Sequence, residues 1–216
     1  MNIAHGSVKF FYEKVTKQQQ PSFYLIEGGS DLGKNNRQLC DNALRHLAEG
    51  DTSLLQEVYH RLKRPVYLLA YAILDDPNLA EDVLQDTFLQ VQTRHDLYRP
   101  GTNGQAWVFS IARHLAIDRL RIRREICVEA LPDQPAPVED LDGRLDFIRA
   151  LSLLTEDERQ VVVLRLISGL RHGEIAAVTG IREAAARKRY HRAVGKLRRY
   201  YDRYDEGRDR HEKADK

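Results

Sequence analysis

The feature that most constrains the fold is the stretch GEIAAVTGIREAAARKRYHRAVGKLRR, residues 173–199. Its apolar residues recur at steps of three and four, the period of an amphipathic helix, and this pattern breaks at Gly180. Glycine readily adopts the left-handed turn conformation that other residues resist. The small residues Ala176 and Ala186 would let two helices approach closely. The stretch therefore predicts a helix-turn-helix.

The two predicted helices, over about 171–179 and 182–201, divide their residues between a core and an outer face. The predicted core consists of Ile175, Val178, Ile181, Tyr190, Val194 and Leu197. Between residues 182 and 203 stand nine Arg or Lys residues, against only Glu183 and Asp202. A helix that is merely solvated usually interleaves acids with bases for i,i+4 pairing. The nearly single sign of charge favours nucleic-acid binding over a solvated helical hairpin.

Closer to the N-terminus, three further stretches with helical periodicity cover about 53–74, 79–95 and 106–126. Pro65 is expected to kink or split the first of them. A chain of 216 residues, 42% hydrophobic and 31% charged, suits two small cores better than one large core. We therefore predict an all-α chain: two small helical domains joined by a flexible linker, the C-terminal one being the helix-turn-helix.

The predicted boundaries follow shifts in composition along the chain. They are an N-terminal extension of unknown role (1–40), a first helical domain (41–127), a linker rich in proline and acids (128–146), the helix-turn-helix domain (147–204) and a charged tail predicted to be disordered (205–216). The extension holds aromatic and β-branched residues and then turn-forming residues, so it predicts a short strand-bearing segment or a partly ordered tail.

Other function classes find little support in the residues. Gly28, Gly33 and Lys34 match the spacing of a phosphate-binding loop, but Asn35 stands where the magnesium-binding hydroxyl is needed. No alternation of strands and helices follows to build a parallel sheet. These two departures argue against a nucleotide-using enzyme.

Cys40 and Cys127 stand alone, with no histidine or cysteine at metal-ligand spacing, so we expect no metal and no other cofactor. Asp82 and Asp86 lie one helical turn apart, but such a pair is more often a partner-binding surface than a catalytic site, so we expect no enzyme. Neither an apolar run of membrane-spanning length nor a signal-peptide core is present. We therefore expect a cytoplasmic protein without membrane insertion.

Three segments in sequence order resemble parts of one protein family, the bacterial RNA polymerase sigma factors of the sigma-70 superfamily, extracytoplasmic-function (ECF) type. LAEDVLQDTFLQV (79–91) resembles the segment that binds the polymerase clamp, and AWVFSIARHLAIDRLRIRR (106–124) resembles the promoter-melting helix. The segment 151–198 resembles the C-terminal promoter-reading domain. The resemblance covers roughly residues 45–202.

The resemblance implies a sigma factor that binds core RNA polymerase and promoter DNA, reading the minus-ten element as melted strand and the minus-thirty-five element as duplex. It also implies an anti-sigma factor as a partner. The polymerase-binding residues would be Asp82, Gln85, Asp86 and, as the apolar anchor, Phe88. The melted strand would be contacted by Asn103, Gln105, Arg113, His114, Arg119, Arg121, Arg123 and Arg124. The duplex would be contacted by Arg182, Glu183, Ala185, Arg187, Lys188, Arg189, His191 and Arg192.

The alternative interpretation is a stand-alone helix-turn-helix transcriptional regulator. Such a protein binds duplex DNA as a dimer with spaced half-sites. The clamp-like segment and the lack of an evident dimerisation helix argue against it.

Overall fold

The computed structural model describes residues 27–126 and 149–214, and every regular element in these two ranges is helical. The first range contains α1 (Glu27–Ala48), α2 (Leu55–Leu74), α3 (Pro77–Thr93), a 3₁₀ turn (His95–Leu97) and α4 (Gly104–Ile126). The second contains α5 (Glu156–Val162), a π-helical segment (Val163–Ile167), α6 (His172–Thr179) and α7 (Glu183–Ala214). The predicted all-α fold is confirmed for these residues. The predicted linker and most of the predicted strand-bearing extension lie outside them.

The core of the first domain forms where α2, α3 and α4 pack together. Leu62, Val66 and Leu69 of α2 are fully buried, as are Val83 of α3 and Phe109 of α4. Of the two expectations for Pro65, a kink or a split, the split is wrong, because α2 runs continuously through Pro65. Residues on both sides of the proline are pinned in the core, which offsets the loss of one backbone hydrogen bond.

The N-terminus of α3 is fixed by its own sequence. The Asp76 carboxylate accepts hydrogen bonds from the backbone N–H of Asn78 at 2.9 Å and of Leu79 at 3.1 Å. Pro77 occupies the first turn, where its missing N–H costs nothing and its φ suits a helix. This cap sets the start of the helix that carries Asp82 and Asp86.

The second domain has the predicted helix-turn-helix. Gly180 ends α6 with a φ of 72°, the left-handed conformation that the turn requires. Ile175, Val178, Tyr190 and Leu197 are buried, and Ile181 and Val194 pack against them half-buried. Thr155 and Glu158 form a reciprocal capping box at the start of α5, with bonds of 3.0 and 3.4 Å.

Two helices extend beyond the predicted boundaries. α1 begins at Glu27, so residue 40 falls inside a helix, and the glycine-rich stretch before Asn35 is helical rather than a loop. Cys40, Ala43, Leu44 and Leu47 give α1 a buried apolar face that holds it on the first domain. α7 continues to Ala214, so the predicted disorder is wrong for residues 205–214. The sequence of that stretch interleaves acids and bases, a pattern that favours helix formation.

The two domains pack directly against each other. α6 lies against α4, and α5 with the π-helical segment lies against α2. The contact places the start of α4 under the helix-turn-helix, so part of the surface considered below is shared between the domains.

Candidate nucleic-acid and partner interfaces

The outer face of α7 is the strongest candidate for a DNA-binding surface. As their positions in the sequence predict, six polar residues at the start of this helix are exposed: Arg182, just before the helix, and Glu183, Arg187, Lys188, His191 and Arg192 on it. Ala186 on the opposite face is fully buried against the core. α7 thus presents a cationic face at its N-terminal end, the end that a recognition helix inserts into the major groove.

The basic residues of this face differ in whether they form ion pairs with nearby acids. Arg187 pairs with Glu183 at 3.0 Å one turn away, and Arg189 pairs with Asp157 of α5 at 2.9 Å. Lys188 and Arg192 have no ion pair within the described part of the chain. Arg189 and the half-buried Ala185 are less accessible than the rest of the predicted duplex-binding set.

A histidine lies beside this helix, at the start of α6. Burial lowers the pKa of His172, and the nearby cations Arg165 and Arg187 lower it further. Its ring meets the edge of Tyr190 with centroids 5.4 Å apart. A neutral His172 adds no positive charge to the surface, so its role near neutral pH is packing.

The predicted polymerase-binding residues form a polar face on α3. Asp82 and Gln85 are exposed and Asp86 is half-exposed, and all three lie within one turn of each other. Arg119 of α4 reaches across to both carboxylates, contacting Asp82 at 3.1 Å and also hydrogen-bonding Asp86. One guanidinium therefore neutralises part of the acidic face.

Phe88, the predicted apolar anchor, is largely buried within the first domain. Its side chain is 8% exposed and its ring meets Tyr59 edge-on, with centroids 4.9 Å apart. The neighbouring Leu89 is 58% exposed, and it lies three residues after Asp86 and four after Gln85. The i, i+3 and i, i+4 spacing that puts Leu89 on the acidic face was visible in the sequence.

The predicted melted-strand residues fall into two groups. The first group is His114, which is exposed, and four arginines that pair with acids. Arg119 and Arg123 pair with acids of the first domain. The exposed Arg121 pairs with Asp118 at 3.5 Å, and the exposed Arg124 lies 4.0 Å from Glu156 of α5. Asn103, Gln105 and Arg113 instead face the second domain. Their side chains bond Glu174, the carbonyl of Ser168 and Gln160, respectively, at 2.8, 2.8 and 2.9 Å. Gln105 is buried in this contact, whereas Asn103 and Arg113 are half-buried with their polar groups bonded to the second domain.

The described residues contain no cluster of three or more histidine, cysteine or acidic side chains that would hold a metal ion. Among these same residues, no helix is both long enough and apolar enough to cross a membrane.

Architecture and surfaces define an all-helical, two-domain protein with a helix-turn-helix in its second domain. Residues 58–126 match the family model of sigma-70 region 2, and residues 144–197 match that of sigma-70 region 4. The RNA polymerase sigma factor CarQ of Myxococcus xanthus is 40% identical over 127 residues, covering 56% of this chain and 73% of CarQ. The chain therefore belongs to the sigma-70 family of RNA polymerase sigma factors, and within it to the ECF type.

Further relatives and solved structures agree with this assignment. The ECF sigma factor SigE of Mycolicibacterium smegmatis is 38% identical over 146 residues, which cover 62% of this chain but only 56% of SigE. The sigma factor RpoE of Bartonella quintana, solved with the anti-sigma factor NepR, matches with a TM-score of 0.57 and 26% identity, covering 68% of this chain and 96% of RpoE. CnrH, solved with the cytosolic domain of CnrY, gives a TM-score of 0.57 and 25% identity, covering 76% of this chain and 97% of CnrH.

Proposed function

We propose that this chain binds core RNA polymerase and directs it to specific promoters, reading the minus-thirty-five element as duplex with α7 and the minus-ten element as melted strand with α4. The observation that carries the proposal is the pairing, in one chain, of a cationic recognition helix with an exposed acidic face on a separate domain. A stand-alone regulator would need only the recognition helix and not the acidic face. The polymerase catalyses RNA synthesis, and this chain recognises the promoter and opens its strands.

The duplex contact rests on the exposed charges of α7. Arginine and lysine donate to the guanine edge and to phosphates in the major groove, and Glu183 can accept from cytosine. Lys188 and Arg192 are the best placed, because no acid competes for them within the described residues. Arg189 would first have to leave Asp157.

The polymerase contact rests on α3. Asp82, Gln85 and Asp86 offer acceptors to a basic partner, and Leu89 replaces Phe88 as the apolar group at the centre of the contact. Charged groups around such an anchor mainly set association rate and specificity, while the buried apolar group supplies affinity.

The melted-strand contact rests on the basic residues of α4. Arg121 and Arg124 are the most exposed of them and would exchange their ion pairs with Asp118 and Glu156 for phosphates. Arg113 and the amides of Asn103 and Gln105 would first have to leave their partners in the second domain. RpoE and CnrH were solved with NepR and CnrY, and by this likeness we also propose an anti-sigma factor as a partner of this chain.

The duplex-reading part is tested with the double substitution Lys188→Ala/Arg192→Ala. Promoter-directed run-off transcription with core polymerase should fall at least tenfold while polymerase binding is kept, and the salt slope of DNA binding should drop by about one for each phosphate that is no longer neutralised. The matched control is Arg45→Ala/Arg64→Ala, which removes the same charge from exposed positions on α1 and α2. Equal reductions in both variants would refute a specific role for α7.

The polymerase-binding part is tested with Asp82→Asn/Asp86→Asn, measured as affinity for purified core polymerase. This variant should bind more weakly than the control Glu49→Gln/Asp96→Asn, which removes two exposed acids elsewhere on the first domain. Indistinguishable affinities would contradict the assignment of the acidic face.

A further inference from the structure

A carboxylate of α1 holds both ends of the loop that precedes α4. Tyr98 ends the 3₁₀ turn and Gly104 begins α4, so residues 99–103 connect the two elements. Oδ1 of Asp41 accepts a hydrogen bond from the hydroxyl of Tyr98 at 2.8 Å and another from the backbone N–H of Gly104 at 2.6 Å. A charged acceptor makes such bonds stronger than neutral ones. The Tyr98 ring is buried and packs against Trp107 with centroids 5.6 Å apart, so the anchor at that end is rigid.

The peptide groups on either side of Asn103 are both bound to α1. Arg37, one turn before Asp41, donates to the carbonyl of Thr102 at 3.3 Å, and Asp41 accepts from Gly104. The two side chains also pair with each other, with Nε of Arg37 3.7 Å from Oδ2 of Asp41. The backbone position of Asn103 is therefore set by a neighbouring helix and not by the loop alone.

The side chain of Asn103 has one end committed to its own helix. Its Oδ1 accepts from the backbone N–H of Ala106 at 3.1 Å and so caps the first turn of α4, while its Nδ2 donates to Glu174 at 2.8 Å. Because the oxygen is used by the cap, the NH₂ group is the end that can donate to the acceptors on a base edge. The place at which this NH₂ group stands follows from the backbone that α1 holds.

The glycine at the start of α4 permits this close contact. A Cβ at Gly104 would stand 2.8 Å from Oδ1 of Asp41 and 2.9 Å from Cδ1 of Leu44. Any larger residue would therefore displace the oxygen that holds the loop. α1 lies outside residues 58–126 and 144–197, the ranges that the family models match. The contact thus joins the family segment to a helix that these models do not include.

We propose that Asp41 is a positioning residue for strand reading: by fixing the peptide groups around Asn103, it sets where the Asn103 amide meets a base of the minus-ten element. This inference rests on the proposed function, in which Asn103 contacts the melted strand. Asp41 acts through the loop and not by touching DNA. Without its two bonds the amide can move by about 1 Å or more, which is enough to spoil a hydrogen bond to a base.

The test is run-off transcription with core polymerase on promoters that carry every base at each position of the minus-ten and minus-thirty-five elements. Asp41→Ala should lower the discrimination between bases at one minus-ten position roughly five- to tenfold and leave the minus-thirty-five ranking unchanged. Asp41→Asn keeps an oxygen that can accept from Tyr98 and Gly104, so it should retain most of the discrimination. The matched control is Asp96→Ala, which removes the same charge from an exposed position near Tyr98 and should change neither ranking.

A double-mutant cycle tests whether Asp41 acts through Asn103. Asn103→Ser keeps a capping oxygen for α4 but removes the amide nitrogen. It should lower discrimination at the same minus-ten position as Asp41→Ala, and the double variant should lose no more than either single variant. Additive losses would overturn the assignment, because they would place the effect of Asp41 at another contact.

A second variant decides the question if circular dichroism shows that Asp41→Ala fails to fold. Gly104→Ala pushes the Asp41 oxygen aside without changing α1, and its matched control is Gly195→Ala, where a Cβ meets nothing within 4 Å. Gly104→Ala should alter the minus-ten ranking and Gly195→Ala should not. An unchanged ranking, or an equal loss on every promoter, would reduce Asp41 to a structural contact and overturn the proposal. A wild-type chain that selects no promoter would instead refute the proposed function.

Discussion

Phe88→Ala and Leu89→Ala, at adjacent positions of α3, should separate folding from partner binding. Phe88 is 8% exposed and packs edge-on against Tyr59, whereas Leu89 is 58% exposed. Truncation of a buried phenylalanine costs about 3–5 kcal/mol, which includes the aromatic contact. Because Phe88 is not fully buried, we expect a loss of about 3 kcal/mol in the free energy of unfolding.

Leu89→Ala should change the free energy of unfolding by no more than about 0.5 kcal/mol, because the side chain is mostly in water. If Leu89 is the apolar anchor for the polymerase, its truncation should weaken binding by about 1–2 kcal/mol, or roughly five- to thirtyfold in Kd. Urea unfolding followed by circular dichroism measures the first quantity, and surface-immobilised core polymerase measures the second.

The control for Leu89→Ala is Leu97→Ala, which truncates a leucine of similar exposure, 62%, in the 3₁₀ turn after α3. It should alter neither stability nor polymerase affinity. The reasoning fails if Leu89→Ala and Leu97→Ala bind polymerase equally well, or if Phe88→Ala leaves the urea midpoint of wild type unchanged.

The remaining predictions concern stability and reactivity. Burial alone would raise the pKa of Glu158, but hydrogen bonds from Lys196 and the capping box lower it below its usual value. Stability should therefore be lost as pH falls below about 4.5. Lys196→Met should cost about 2–3 kcal/mol at neutral pH and reduce this acid-dependent loss, both measured by urea unfolding from pH 7 to 3. Gly180→Ala should destabilise by about 1–2 kcal/mol, because alanine disfavours a φ of 72°, while Gly195→Ala should stabilise slightly; equal midpoints would contradict the turn geometry. Burial, assisted by Asp41, raises the pKa of Cys40 to about 12, so with the other cysteine changed to serine the folded protein should resist a thiol reagent at pH 8, and rapid labelling without denaturant would refute the packing.

Local chemistry made the helix-turn-helix predictable from the sequence. Gly180 can be recognised because few other residues accept a left-handed turn, and Ile175 and Leu197 can be recognised by their spacing. Thr155 can be recognised as a cap because acids follow it in the first turn. In each case the signal lies within a few residues of the structure that it determines.

Long-range pairing could not be predicted in the same way. The bonds from Gln105 to Ser168 and from Arg113 to Gln160 join residues whose separation along the chain carries no periodic signal. The resemblance implies an apolar anchor at Phe88, but the accessibility of this ring depends on its packing against Tyr59 of another helix. Side chains at a domain contact look like solvated polar residues until both surfaces are known.

The bridge from Arg119 to Asp82 and Asp86 makes the two proposed binding reactions share one charge. If a DNA phosphate draws this guanidinium away, the two carboxylates regain full negative charge toward a basic partner. Thermodynamic reciprocity then requires the converse, that a partner engaging the carboxylates frees the guanidinium for DNA with an equal free-energy gain. Polymerase binding and DNA-strand binding would then be cooperative, because both depend on where the guanidinium of Arg119 is held.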